Sequence, residues 1–197
     1  MSTTQPIRSL EELQQLKNFY YLQEPNPRNY TLITLGLNTA LRISDLLQLT
    51  WGDVYDFETQ KFRYHITVTE QKTGKENRIA LNQNAQQALL LYQKYFPAVS
   101  PQDYLFPGKG HADIPLSRSQ AFRIIKHASE RLHLDEHISC HSMRKTFGYH
   151  AWKCGTPPAV LMEIYNHSSF EITKRYLGIE QDDKDSCLLY TSDAADD

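Results

Sequence analysis

The chain has 197 residues, of which 40% are hydrophobic and 22% are charged, and its formal net charge is −2. This length and composition predict one globular domain, and no apolar run approaches the roughly 20 residues of a membrane span. Three cysteines without metal-binding spacing argue against a disulfide-rich secreted protein. We therefore expect a cytoplasmic protein with no membrane partner.

Charge is unevenly distributed along the chain. Residues 180–197 hold seven acids and one base, so residues 1–179 carry 20 bases and 16 acids, a net +4. Residues 118–153 contain seven Lys or Arg and three acids, which fits either nucleic-acid binding or a solvated helix face. Residues 187–197 show no helical or strand period. We expect a single domain over 1–186, followed by a disordered acidic tail or the translation of a sequencing adapter.

Capping signals and hydrophobic periodicity predict three helices in the first part of the chain. A capping box over 9–12 opens a helix that runs to about Tyr21. A strongly apolar helix follows over 28–38. A third helix is predicted over 44–49, with Ser44 as its N-cap because its hydroxyl can accept an orphan amide.

The period then changes from helical to alternating. β-branched and aromatic residues over 63–70 and 77–81 flank the turn sequence 72–75, which predicts a β-hairpin with Lys72 at its tip. A short edge strand is predicted at 54–57. Further helices are predicted over 83–96, 117–132, 142–153, 157–165 and 170–177. The expected fold class is mainly α with a small antiparallel β-sheet, that is, α+β.

Several cationic side chains have the chemistry of a phosphate-binding site. Arg42 precedes a helix and offers a planar fork that suits phosphate oxygens, and Asp45 lies one turn along the same face, where it can hold Arg42. His141 and Arg144 share one face near a helix N-terminus, which attracts anions. Each pair taken alone also fits a surface ion pair or a helix cap.

A proton donor and a nucleophile can be added to this set. Lys72, with Lys75 as a nearby competitor, can protonate a leaving oxygen if the hairpin reaches the site, although an exposed turn lysine is commonly just solvated. His167, which alone fits a structural role, precedes Tyr176 by nine residues. A phenol with a pKa near 10 attacks only when cations stabilise its phenolate. The sequence has no His-Glu-x-x-His or Cys-x-x-Cys motif, so we expect no metal and no other cofactor.

Three segments, in this order, resemble the tyrosine recombinase (phage integrase) family. They are residues 35–49 around Arg42, His-Ser-Met-Arg-Lys-Thr-Phe-Gly over 141–148, and Asn-His-Ser-Ser over 166–169 followed by Tyr176. The resemblance covers about 29–179 and implies the fold of the family's catalytic domain. It implies a site-specific DNA recombinase that cuts and rejoins duplex DNA through a 3′-phosphotyrosine, without metal or ATP.

The resemblance also implies a role for each candidate residue. Tyr176 would be the nucleophile, and Lys72 would be the general acid for the leaving oxygen. His141 would accept the tyrosine proton, and Asp45 would orient Arg42. The scissile phosphate would be held by Arg42, His141, Arg144 and His167.

Double-stranded DNA is the partner that this family implies. The resemblance also implies that the protein is a monomer when free and forms a homotetramer on synapsed DNA. We expect further DNA contacts from Arg118, Arg123, Lys126 and Lys145. Asn166 stands where the family usually has glycine, which would alter only the turn. The family's separate N-terminal helical domain is expected to be missing, or the chain to be a fragment. The alternatives are a type IB topoisomerase-like enzyme and a catalytically silent DNA-binding module.

Overall fold

Helices dominate the computed structural model, which describes residues 4–96, 98–134 and 137–179. The predicted tail over 187–197 lies outside the described residues. The first helix is α1, and a π-helical turn over Phe19–Gln23 continues it past the predicted end at about Tyr21. The helices are α1 Leu10–Asn18, α2 Pro27–Asn38, α3 Ile43–Leu46, α4 Trp51–Val54, α5 Gln83–Gln93, α6 Arg118–Arg131, α7 Cys140–Lys153, α8 Pro158–Tyr165 and α9 Phe170–Leu177.

The described strands form separate antiparallel pairs rather than the single small sheet that the sequence predicted. The predicted hairpin is present and aligns His65 with Ala80 and Thr69 with Glu76. The pair at 107–115 was not predicted, because a proline and a glycine form its first strand and neither favours strands. The pairs are β1 Tyr55–Asp56 with β2 Lys61–Phe62, β3 His65–Thr69 with β4 Glu76–Ala80, and β5 Pro107–Gly108 with β6 His111–Pro115.

The core is organised around α2, whose side chains face two hydrophobic clusters. Leu32 and Leu35 belong to the cluster that covers the hairpin and α5, whereas Ile33 and Leu37 belong to the one shared with α1, α6 and α7. The helix packs directly on α1, α5 and α7. Because α2 is buried on most of its surface, its C-terminal end fixes the loop that leads to Arg42.

The helix after this loop begins earlier than predicted. Arg42 has extended backbone angles (φ −67°, ψ 146°) and is the N-cap of α3, so Ser44 lies inside the helix and is not its cap. The Ser44 hydroxyl instead donates to Asp45 Oδ1 at 3.3 Å. The shift by two residues places the Arg42 side chain at the very start of α3.

Close packing at Gly148 brings the C-terminal helices onto α7. A Cβ at this position would collide with Tyr165 Oη on α8 and with the side chain of Leu177 on α9. The Tyr165 hydroxyl donates to the Arg144 carbonyl at 2.6 Å and stabilises the same crossing. Glycine at 148 therefore lets three helices meet where His141, Arg144 and Tyr176 are carried.

Candidate active site

Arg42 is held by a carboxylate that the sequence analysis missed. Its Nη1 lies 2.7 Å from Glu70 Oε2, and Thr73 Oγ1 donates to the same oxygen at 2.7 Å. Glu70 is 4% exposed because it continues the inward alternation of Ile66 and Val68 along β3. Burial alone would raise the pKa of Glu70, but the bonds from Thr73 and Arg42 outweigh it, and the net pKa shift is downward. The ionised carboxylate fixes the guanidinium.

Asp45 has a different role from the predicted one. It is 2% exposed, and its Oδ1 accepts the Gln71 amide at 3.1 Å. The expected contact with Arg42 is therefore replaced by the one between Arg42 and Glu70. Asp45 instead ties α3 to the turn of the hairpin, immediately before Lys72. Glu70 could have been found from the alternation along β3, because Ile66, Val68 and Glu70 lie two residues apart and therefore share the buried face.

Arg144 is a buried cation with unused hydrogen-bond donors. Arg144 is 3% exposed, and its Nε and Nη1 are buried with no hydrogen-bond partner in the part of the chain that the structure describes. Its guanidinium carbon lies 4.9 Å from the centre of the Tyr165 ring. Burial lowers the pKa of Arg144, yet a guanidinium stays charged at neutral pH. Buried donors are normally satisfied, so this geometry calls for an anionic acceptor.

His167 and Tyr176 lie side by side. Their ring centres are 5.3 Å apart in an edge-to-face arrangement, and the Tyr165 ring lies against both. His167 Nδ1 is 3.0 Å from the hydroxyl of buried Thr173, which itself donates to the Ser169 carbonyl. The neutral ring then donates from Nδ1 and keeps the lone pair on Nε2.

The backbone of the turn before His167 explains why asparagine can replace the family's usual glycine at position 166. This residue ends α8 with φ 56° and ψ 46°, the left-handed region that asparagine tolerates better than most residues. Its Oδ1 also accepts a hydrogen bond from the Lys75 ammonium, at 2.8 Å. The side chain therefore joins the hairpin to the loop that carries His167, a contact that glycine would not provide.

The two hairpin lysines are thereby distinguished. Lys75 is engaged with Asn166, whereas Lys72 is exposed in the turn and close enough to lower the pKa of His141 electrostatically. The role of Lys72 as proton donor therefore stays a prediction.

The six predicted catalytic residues converge. Partial desolvation lowers the pKa of His141, and the nearby cations lower it further, Lys145 most strongly, followed by Arg144, Arg42 and Lys72. Desolvation likewise lowers the pKa of His167, again with Arg144 and Arg42. Burial raises the pKa of Tyr176, and the same two arginines oppose the rise. The site thus combines neutral histidines, a protonated phenol and an excess of positive charge.

The lowered histidine pKa values predict that folding stability depends on pH. Below about pH 6.5, the unfolded chain binds more protons at His141 and His167 than the folded protein does, so the free energy of unfolding should fall as pH decreases. Urea unfolding at pH 7.0 and pH 5.5 measures this. The His141→Gln/His167→Gln double variant should show a shallower pH dependence; an identical slope would contradict the assignment.

The predicted DNA contacts divide into surface and buried residues. Arg118 and Arg123 are exposed on α6, and Lys126 is half-buried with Nζ 3.7 Å from Glu130. Arg118 lines a groove that continues to Gln71, beside the Lys72 turn. Lys145 does not fit the prediction: it is 7% exposed and donates to the Thr4 carbonyl at 2.6 Å. Its position on the inner face of α7 turns it away from solvent.

Within the described residues, no three His, Cys, Asp or Glu side chains are arranged to hold a metal ion. No helix of that part of the chain has the length and apolar character needed to cross a bilayer.

Comparison with known proteins gives consistent matches. A sequence model described as "Phage integrase family" matches residues 9–182. The "Probable integrase/recombinase YoeC" of Bacillus subtilis is 41% identical over 182 residues, which cover 92% of this chain and 93% of that protein. "Tyrosine recombinase XerD" of Corynebacterium glutamicum is 30% identical over 161 residues, 79% of this chain but 49% of that protein. The chain thus spans about half the length of that relative.

The fold is similar to that of a solved integrase. The Tn1549 transposon integrase, in complex with transposon right end DNA, superposes with a TM-score of 0.70 at 21% identity, covering 94% of this chain and 65% of that one. The likeness supports the mainly helical fold with small antiparallel strand pairs that the sequence predicted.

Proposed function

Because the chain belongs to the phage integrase family, we propose that it is a site-specific tyrosine recombinase that cuts and rejoins duplex DNA. The observation that carries this proposal is the buried Arg144 guanidinium, whose Nε and Nη1 have no acceptor among residues 4–96, 98–134 and 137–179, in a site shared with Arg42 and Tyr176. A phosphodiester supplies the missing acceptors. The transposon right end DNA bound to the Tn1549 integrase, whose fold is similar, supports DNA as the substrate.

In the cleavage step, the Tyr176 oxygen attacks the scissile phosphorus and the bond to the 5′-oxygen breaks. The products are a 3′-phosphotyrosine and a strand that ends in a 5′-hydroxyl. Arg42 and Arg144 bind the nonbridging oxygens and stabilise the additional charge of the transition state. Glu70 keeps the Arg42 fork oriented for this task. The reaction conserves the number of phosphoester bonds and therefore needs no external energy source.

Two protons move during cleavage. The phenol proton passes to His141, whose lowered pKa keeps it neutral and able to accept at pH 7. Lys72 gives a proton to the departing 5′-oxygen. His167 contacts the Tyr176 ring and keeps its Nε2 lone pair, so once protonated it can donate to the phosphate. Rejoining reverses these transfers with a 5′-hydroxyl from the partner strand.

Recombination needs two DNA duplexes, so we propose a tetramer assembled on paired sites from protein that is monomeric when free. Arg118, Arg123 and Lys126 on α6 extend the basic surface along the DNA backbone. A protein that acts on genomic or mobile-element DNA works in the cytoplasm of a bacterial cell, and we propose that compartment for it.

Covalent trapping tests the proposal. The protein is incubated with nicked duplexes taken from the DNA that flanks its gene, in the presence of EDTA. We expect a protein–DNA adduct that resists denaturation, with peptide mapping placing the nucleotide on Tyr176. DNA binding without any adduct would favour the silent binding module instead.

The recombinase and topoisomerase alternatives differ in their need for two sites. A recombinase should give exchanged products only when two matching duplexes are present, whereas relaxation of a supercoiled circle that lacks those sites would support the topoisomerase alternative. Both assays can be run on the preparation that gives the covalent adduct.

A further inference from the structure

Residues 4–8, which are neither helix nor strand, form a segment that contacts α7 and is here called the N-terminal strap. Ile7 is 2% exposed; its amide donates to Thr146 Oγ1 at 2.9 Å, and its carbonyl accepts from His150 Nε2 at 2.8 Å. Ile7 also packs in the hydrophobic cluster that includes Met143. The strap is therefore anchored to α7 by main-chain bonds and by a buried side chain.

The strap also contacts the end of the helix that carries the nucleophile. Arg8 Nη2 donates to the Gly178 carbonyl at 2.6 Å. Gly178 ends α9 in the left-handed region (φ 69°), and a Cβ there would lie 3.3–3.4 Å from atoms of Gln5, Pro6 and Arg8. The strap thus lies against the residue two positions after Tyr176.

Lys145 connects the strap to the nucleophile itself. Its ammonium donates to the Thr4 carbonyl at 2.6 Å and lies 5.4 Å from the centre of the Tyr176 ring. The side chain is almost fully buried, and desolvation lowers its pKa. A buried ammonium that donates to a carbonyl and lies beside an aromatic ring has few alternative positions, so it constrains the ring.

We propose that Lys145, held by the N-terminal strap, is a positioning residue that keeps the Tyr176 phenol in line with the scissile phosphate. The inference rests on the proposed function and adds a residue to it. Helix α9 has eight residues, too few to be stable without tertiary contacts, so its position depends on the groups around it. In the described part of the chain, the Tyr176 ring has contacts with the Tyr165 and His167 rings and with the Lys145 ammonium, and of these three Lys145 is the one held by a segment 141 residues away.

The first test compares cleavage with binding in the full chain. Lys145→Met keeps the length of the stem and removes the ammonium. We expect single-turnover formation of the covalent adduct to slow by about 10–100-fold, the range that a small misplacement of a reacting group causes, with DNA affinity unchanged. Arg8→Met, which releases Gly178 from the strap, should slow the reaction by a smaller factor.

Lys153→Met is the matched control. Lys153 is on the same helix, and its ammonium lies 5.4 Å from the Trp152 ring centre, the same distance as in the Lys145 contact with Tyr176. This control should cleave at the wild-type rate. A wild-type rate in Lys145→Met would overturn the proposal. Equal losses of affinity and rate in Lys145→Met would instead make Lys145 a DNA-contact residue.

A second readout does not require catalysis. Tetranitromethane modifies accessible tyrosines, and peptide mass spectrometry follows each one separately. Relative to Tyr64, which is 77% exposed, Tyr176 should be nitrated at least about twofold faster in Lys145→Met, because the ring is less constrained. An unchanged nitration ratio would refute the positioning role, whether or not the wild-type protein forms an adduct. The absence of an adduct in the wild type would refute the proposed function instead. Arg8→Met provides the same nitration test if Lys145→Met does not fold.

Discussion

Replacing Arg144 with methionine is expected to abolish strand cleavage while leaving the folded protein as stable as the wild type or more so. Loss of one preorganised donor in a transition-state site costs about 10²–10³-fold in rate, and Arg144 provides a charge as well, so we expect a loss of at least about 10³-fold. Single-turnover cleavage of a nicked duplex measures it.

The expected stability of Arg144→Met follows from the unused hydrogen-bond donors of Arg144. Arg144 is 3% exposed, and its Nε and Nη1 have no hydrogen-bond partner among the described residues, so the guanidinium's desolvation is not compensated there. Methionine fills a similar volume without a charge. We expect the free energy of unfolding to be unchanged or to rise by about 1–4 kcal/mol, as for other buried ionic groups replaced by apolar ones. The lost contact with the Tyr165 ring, worth about 1 kcal/mol, limits the gain.

Anion binding tests whether the stability change in Arg144→Met comes from losing an anion-binding cation rather than from altered packing of the side chain. Inorganic phosphate should raise the melting temperature of the wild type and have a smaller effect on Arg144→Met, because a ligand stabilises only the state that binds it. Arg63→Met, at an exposed arginine that bonds the Gly52 carbonyl, is a matched control and should retain the phosphate effect. A large loss of stability in Arg144→Met would show that Arg144 is a structural ion and contradict its role as an anion site.

Tyr176→Phe should eliminate the covalent adduct completely, whereas Tyr165→Phe should still form it. The two rings are 5.3 Å apart, and both lie near Arg144, so proximity to the cations does not separate them. Their hydroxyls do. Tyr165 is fully buried, and its hydroxyl donates to the Arg144 carbonyl; burial also raises its pKa strongly. The Tyr176 pKa rise is opposed by two arginines.

The measurement is the denaturation-resistant band described above, together with DNA affinity for each variant. Tyr165→Phe should lose about 1 kcal/mol of stability with its buried hydrogen bond, and it should cleave more slowly because Arg144 and Tyr176 both pack against its ring. An adduct that survives in Tyr176→Phe but not in Tyr165→Phe would reassign the nucleophile.

Much of the fold was predictable because its signals are local. Ser9 caps α1 through its hydroxyl, and the alternation over β3 sets the buried face, both of which depend on residues within a few positions. The start of α3 was misplaced by two residues because Ser44 looks like a cap, whereas the loop after α2 puts Arg42 in that role. The β5–β6 pair has no such local signal.

The sequence by itself determined the family and the identities of the candidate catalytic residues, since these follow from residue types in a fixed order. Only the tertiary structure decided how they are supported. Arg42 is held by Glu70 rather than Asp45, and Lys145 faces Thr4 rather than solvent. Both contacts join segments that are distant in the chain, 141 residues apart for Lys145 and Thr4. Local periodicity carries no information about such pairs, because they form only when α7, the hairpin and the N-terminal strap pack together.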